Sequence, residues 1–202
     1  MKRAVRAILA ASAMLCVSPP ETMAGEGPVR IAIIIAQKDY RDEELEVPKR
    51  LFEESGAEVT VASRALKEAV GMLGGRTMPD TTVDRIDVSA YAGIVFAGGA
   101  GAAEYWDDPV AHAIARRAVQ EGKVLGAICF GPVTLANAGV LKDRAATVWP
   151  SESSRLIAGG ADYRKVPVQV DGTIVTADGP SSARAFAAKF LEMLRMRARE
   201  GT

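Results

Sequence analysis

Three short stretches of the sequence carry residue types that can do chemistry. The first is Ala127-Ile128-Cys129-Phe130-Gly131-Pro132. An apolar run leads straight into the cysteine. Gly131 permits close backbone approach, and Pro132 suits the first turn of a helix. A residue pinched between strand and helix projects from both, as the nucleophile of a strand–turn–helix elbow does. The free N–H groups of the following helix favour a thiolate, so the sequence predicts a thiol more acidic than an ordinary cysteine. A cysteine at a strand end is also a common buried core residue, and position alone leaves both readings open.

The second stretch is Gly98-Gly99-Ala100-Gly101. As a dinucleotide fingerprint it fails. With Gly99 and Gly101 as the first two glycines, Glu104 occupies the third place, where helix–strand packing needs Gly or Ala. A bare backbone N–H brought near Cys129, as half of an oxyanion site, is its better use. The third stretch is Asp42-Glu43-Glu44-Leu45, just past the first apolar run. One carboxylate there could face the cysteine. Periodicity does not separate Glu43, Glu44 and Glu46, and acidic residues in a first helical turn also complement the helix dipole.

These stretches must be positioned by the elements around them. Val29 to Ala36 reads as a strand buried on both faces, and Asp42 to Ser55 as an amphipathic helix closed by Gly56. Glu58 to Ala62, Gly93 to Ala97 and Lys123 to Ile128 are further strands, and Pro109 to Glu121 is a helix whose start is favoured by Asp107 and Asp108. Leu73 to Thr82, with Gly74, Gly75 and Pro79, predicts a small hairpin or excursion. A short helix from Pro132 to Ala138, a strand at Ala146 to Val148 and a short helix near Ser151 to Ala158 follow. A hairpin is expected around Asp171–Gly172, then a closing helix from about Ser181 to Arg197. Strands alternating with helices predict one α/β domain, with a mainly parallel sheet and helices on both faces. In such sheets ligands bind beyond the carboxyl ends of the strands, where all three stretches fall.

The chain has 202 residues, about half of them hydrophobic, with 25 basic and 25 acidic residues. That balance excludes a nucleic-acid partner, which needs a surplus of Lys and Arg on one face. Lys2, Arg3 and Arg6 precede an apolar run from Ala7 to Val17, and Ala24 ends a small-residue cleavage site. Residues 1–24 therefore read as a signal peptide, with residues 25–202 exported to the periplasm or secreted, and not held in a membrane after cleavage. Cys16 suits a lipoprotein reading poorly, because Leu15 precedes it where a small residue is wanted. Removing residues 1–24 takes three basic residues and one acidic residue, leaving a net charge of −2 and Cys129 as the one cysteine. No internal disulfide is then available. No cofactor or metal site is expected.

Taken together, DEELEVPKRL, IVFAGGAGAAEYW, GKVLGAICFGPVTLANAGVL and VDGTIVTADGP resemble the ThiJ/PfpI family over Val29 to about Leu194. That family includes intracellular protease I, the glyoxalase III-type lyases and the parkinsonism-associated protein. The resemblance implies a flavodoxin-like three-layer sandwich of the class I glutamine amidotransferase-like kind, assembled as a homodimer or higher homo-oligomer. It places the nucleophile at Cys129 and, at Glu44, the acid that hydrogen-bonds its sulfur. The oxyanion N–H groups fall on Gly99 and Phe130, and the pocket takes in Gly98 and Trp149.

The departures concern histidine. Protease-type members carry one directly after the cysteine, where this chain has Phe130. Lyase-type members carry one in the stretch matching Thr147 to Pro150, where it has Trp149. The one histidine, His112, lies on the Pro109–Glu121 helix and reads as an ordinary helix residue. Three functions follow as expectations. In one, Cys129 attacks a small electrophilic carbonyl substrate in a glyoxalase- or deglycase-like reaction, with peptidase activity weak or absent. In another, Cys129 is the redox centre of a non-catalytic stress protein. In the third, the chain is a degenerate member used for binding or assembly.

Overall fold

The computed structural model of the protein describes residues 27–200. The expected signal peptide, with Cys16, lies outside the described residues. Seven strands form the central sheet: β1 Arg30–Ile34, β2 Glu58–Ser63, β3 Thr81–Thr82, β4 Gly93–Phe96, β5 Val124–Ile128, β6 Val168–Asp171 and β7 Ile174–Ala177. Their spatial order is β6-β7-β5-β4-β1-β2-β3. Every pairing is parallel except β6 with β7. This is the α/β architecture expected, a mostly parallel sheet with helices around it.

Residue alternation builds the layers. Along β1, Ala32 and Ile34 enter one apolar cluster while Ile31 and Ile33 enter the other. A strand buried on both faces must read as a continuous apolar run, and this one does. Helices α1 Asp42–Glu54 and α5 Ala183–Glu200 pack together on one face, and α2 Pro109–Gln120 and α3 Gly131–Asn137 cover the other. On the α5 side, Phe186 and Phe190 lie fully buried over Gly93 and Gly126. A Cβ on Gly126 would come within 2.7 Å of the Phe186 ring and 2.9 Å of Phe190. The glycines are cut away for the rings, each of which stabilises by about 1.5–3 kcal/mol through burial.

Three local expectations change. The excursion is a small separate sheet, with strands at Lys38–Tyr40, Ala69–Gly71 and Arg76–Thr77, before the chain rejoins the main sheet at β3. The strand expected at Ala146 to Val148 shrinks to Ala145–Ala146, paired with Asp162–Tyr163 off the main sheet. Side chains take over there: the Thr147 N–H donates to Thr176 Oγ1, and Thr147 Oγ1 to the Val166 carbonyl. The final hairpin pairs Asp171 with Ile174, so its two turn residues are Gly172 and Thr173. Gly172 has φ +58°, the glycine-first pattern of a tight hairpin. Among the described residues, no helix is long and apolar enough to cross a membrane.

Candidate functional site

Cys129 follows the last residue of β5 and has φ +60°, in the left-handed region. A non-glycine residue held there costs on the order of 1–3 kcal/mol, and persists only where its surroundings fix it. Here both backbone groups are tied. The Cys129 N–H donates to the Ala177 carbonyl at 2.9 Å, and its own carbonyl accepts from the Trp149 N–H at 3.0 Å. Strand β7 and the Trp149 segment thus clamp the elbow from two sides. The cysteine is 6% exposed.

Three of the residues named from the sequence converge on the sulfur. The Glu44 carboxyl and the backbone N–H groups of Gly99 and Phe130 face the Cys129 side chain closely enough to bias its charge. Glu44 is fully buried. Its Oε2 accepts from the Gly98 N–H at 2.9 Å, and its Oε1 has no nitrogen or oxygen partner among the described residues. Gly98 fills the space between the two side chains: a Cβ there would lie 2.6 Å from Cys129 Cβ and 2.6 Å from Glu44 Oε2. Gly99, with φ +95°, packs so closely on the chain before α1 that a Cβ would come within 2.4 Å of the Arg41 nitrogen and the Asp39 oxygen. The bare glycine turn is what lets the start of α1 meet the elbow.

The first turn of α1 gives its three carboxylates three different tasks. Asp42 accepts from the Leu73 and Gly75 N–H groups, both at 2.8 Å, holding the small sheet. Glu43 forms a two-pronged pair with the Arg41 guanidinium at 2.8 and 3.1 Å. Only Glu44 turns inward, and Glu46, the other carboxylate that periodicity left open, is exposed.

Burial sets the electrostatics. It pushes the Glu44 carboxyl up to about 8, against the opposing bonds from Cys129 and Gly98. Glu44 is therefore protonated at neutral pH. Burial first, and then the negative charge of Glu44, push the Cys129 thiol up to about 12, against the N–H donors of Gly99 and Phe130. The expectation of an acidic thiol is corrected by this geometry: desolvation at a 6%-exposed residue outweighs the donors around it. The pair behaves as one unit, giving up its first proton near 8 and holding its second far above that.

Trp149 enters the site through its backbone. Its side chain is 40% exposed, and its ring lies against Gly179, where a Cβ would come within 2.6 Å of it. His112 stands away from the sulfur, with Nε2 2.7 Å from the Trp106 carbonyl. Arg41 has no motif or periodicity to single it out, and Trp106 ends the IVFAGGAGAAEYW stretch with no role assigned to it there. Trp106 Nε1 donates to the Phe130 carbonyl at 3.1 Å, and the Arg41 N–H to the Gly98 carbonyl at 3.0 Å. A cleft of about 380 Å³ opens at the opposite, amino end of the strands, lined by Val29, Ala57, Lys123, Leu191, Leu194 and Arg195 among others. None of the chemistry described above lies there. Among the described residues, no group of three or more His, Cys, Asp or Glu side chains is placed to hold a metal ion.

Comparison with known proteins matches residues 29–193 to the model of the DJ-1/PfpI family. An uncharacterized protein of Methanocaldococcus jannaschii is 38% identical over 82% of this chain and 82% of its own length. The deglycase PH1704 of Pyrococcus horikoshii is 29% identical over 81% of this chain and 98% of its own. The crystal structure of a ThiJ/PfpI domain protein from Brachyspira murdochii superposes with a TM-score of 0.82 at 31% identity, covering 84% of this chain and 99% of that one.

Proposed function

The chain belongs to the DJ-1/PfpI family, and from that premise we propose that it is a deglycase-like enzyme in which Cys129 attacks small electrophilic carbonyls. The observation that supports this most is the convergence on one sulfur of a protonated carboxyl, Glu44, and two backbone N–H groups, Gly99 and Phe130. In the proposed step the sulfur bonds to an aldehyde carbon and the C=O π bond opens. The thiol proton passes through Glu44 to the carbonyl oxygen, leaving a neutral hemithioacetal. The N–H groups of Gly99 and Phe130 move from the sulfur to the developing oxyanion.

Peptide hydrolysis asks for more. Amide cleavage needs a base for the nucleophile and an acid for the leaving nitrogen. Phe130 and Trp149 occupy the places where family members carry histidine, and Glu44 serves the thiol. Carbonyl addition expels no amine, so one carboxyl suffices. The purified protein should consume glyoxal in a Cys129-dependent way and leave peptides intact. Equal glyoxal consumption by Cys129→Ser would reject the proposal. A gain of peptide cleavage in Phe130→His would identify the missing imidazole as the limiting part.

A second reading is favoured by one detail: the Gly99 and Phe130 N–H groups face the sulfur itself. Two N–H donors and a protonated acid are also the partners that a cysteine sulfinate needs, formed by two successive oxygen transfers from peroxide. Peroxide treatment that adds two oxygens to Cys129, in a protein inert toward carbonyls, would select this redox role. We further propose that the protein acts in the periplasm or outside the cell as a homodimer or higher oligomer. A mature amino terminus found near Gly25 by mass spectrometry would support export, and an intact Met1 would reject it.

A further inference from the structure

Trp106 follows the short helical turn that ends the glycine-turn segment, and five interactions converge on it. Its indole Nε1–H donates to the Phe130 carbonyl at 3.1 Å, and its ring packs against the Phe130 ring with centroids 5.9 Å apart. Its own carbonyl accepts from Asn137 Nδ2 of α3 at 2.8 Å and lies 2.7 Å from His112 Nε2 of α2. The guanidinium of Arg155, on helix α4 (Ser153–Ala158), covers its ring at 4.7 Å. Trp106 therefore joins the loop before α2, the elbow, α2, α3 and α4, and it grips the elbow at the residue next to Cys129.

Phe130 is where that grip bears on chemistry. Its N–H reaches the sulfur and its carbonyl receives the indole, so one residue's backbone is held at both ends. The elbow is strained at Cys129, which makes the orientation of the following peptide sensitive to what restrains it. The Val133 N–H also approaches the Phe130 carbonyl, at 3.3 Å, but that contact belongs to the start of α3 and gives no lateral restraint. The indole comes from outside the elbow and α3.

We infer that Trp106 is a positioning residue for the Cys129 site, its indole N–H fixing the Phe130 backbone so that the Phe130 N–H faces the reacting sulfur and oxyanion, with His112 and Asn137 anchoring Trp106 from behind. This gives the single histidine a task that touches no substrate. The inference rests on the proposed role of Cys129, but the Phe130 backbone can be read independently of any reaction.

The test uses the full chain and the variants Trp106→Phe, which keeps a ring and loses the N–H, and His112→Ala with Asn137→Ala, which removes the anchors. Amide hydrogen exchange of the peptide containing Phe130 and Gly131 reads the elbow directly. Iodoacetamide alkylation of Cys129 against pH reads the sulfur. Trp106→Phe should exchange that peptide about fivefold faster and alkylate about fivefold more slowly, the effect of one lost hydrogen bond. Thermal unfolding should stay close to wild type. The double anchor variant should move both readouts in the same direction. Exchange and alkylation equal to wild type in Trp106→Phe would overturn the inference. If wild type reacts with no carbonyl while Trp106→Phe still loosens the Phe130 amide, the enzymatic reading fails and the positioning role stands. If both variants change only the unfolding temperature, Trp106 is structural and the inference is wrong.

Discussion

The two ends of the central sheet make an instructive pair. The amino end carries an apolar-walled cleft of about 380 Å³ with Lys123 and Arg195 in its lining. The carboxyl end buries its cysteine to 6% exposure, yet there a strained residue, a buried carboxyl and two backbone N–H groups meet. The cleft offers volume without convergent polar groups, and the elbow offers convergence at a buried atom. Chemistry needs fixed groups aimed at one atom, so the tighter end is the reactive one.

The comparison breaks most directly by swapping which end is damaged. Cys129→Ser should abolish glyoxal consumption, while Leu191→Trp and Arg195→Glu, both at the cleft, should leave it near wild type. Activity lost through the cleft variants with normal folding would reverse the assignment.

Glu44→Gln should follow in size. Losing a positioned acid–base group lowers turnover by about 10²–10⁴-fold. The first proton of the pair, lost near 8, is that of Glu44, and the charge it leaves raises the thiol, so alkylation of wild-type Cys129 should rise only well above that step. In the variant that charge is gone and the thiol titrates against its burial alone, so the midpoint should move downward. An unchanged midpoint would mean that the two groups do not interact.

The same burial predicts a stability trend. The Glu44 carboxyl moves from an ordinary 4.5 to about 8 on folding, so the folded state holds a proton that the unfolded chain has lost. That contribution is complete below about 4.5 and is lost as pH rises through about 8. Denaturant unfolding should therefore show wild type weakening over that interval, with a flatter profile in Glu44→Gln. Parallel profiles would contradict a buried, neutral Glu44. Smallest should be Glu43→Gln. Glu43 is partly exposed, its charge raises Glu44, and it pairs with Arg41, so its removal should move the alkylation midpoint only slightly. A shift as large as that of Glu44→Gln would mean the two carboxylates had been told apart wrongly.

Much of this fold is written locally. The apolar runs of β1, β4 and β5 had to be strands buried on both faces, and Asp108, whose side chain accepts from the Ala111 N–H, had to start α2. The elbow was legible too, because a strand running into Cys-Phe-Gly-Pro leaves few backbone paths. The two-residue strand at Ala145–Ala146 was not, since Thr147 bonds to side-chain and carbonyl partners distant in sequence.

At the site the division is sharper. The sequence by itself determined that a cysteine would be turned out at a strand end, that a glycine turn would lie beside it and that a carboxylate would come from the first turn of α1. Periodicity did not determine which carboxylate, since Glu43, Glu44 and Glu46 differ only in their angle around a helix whose orientation is set by packing on the sheet. Nor did the sequence determine the protonation state. A helix start argues for thiolate from local backbone alone, whereas desolvation depends on every residue that closes over the sulfur. Local dipoles can be read along the chain, but burial belongs to the assembled fold, and at Cys129 burial prevails.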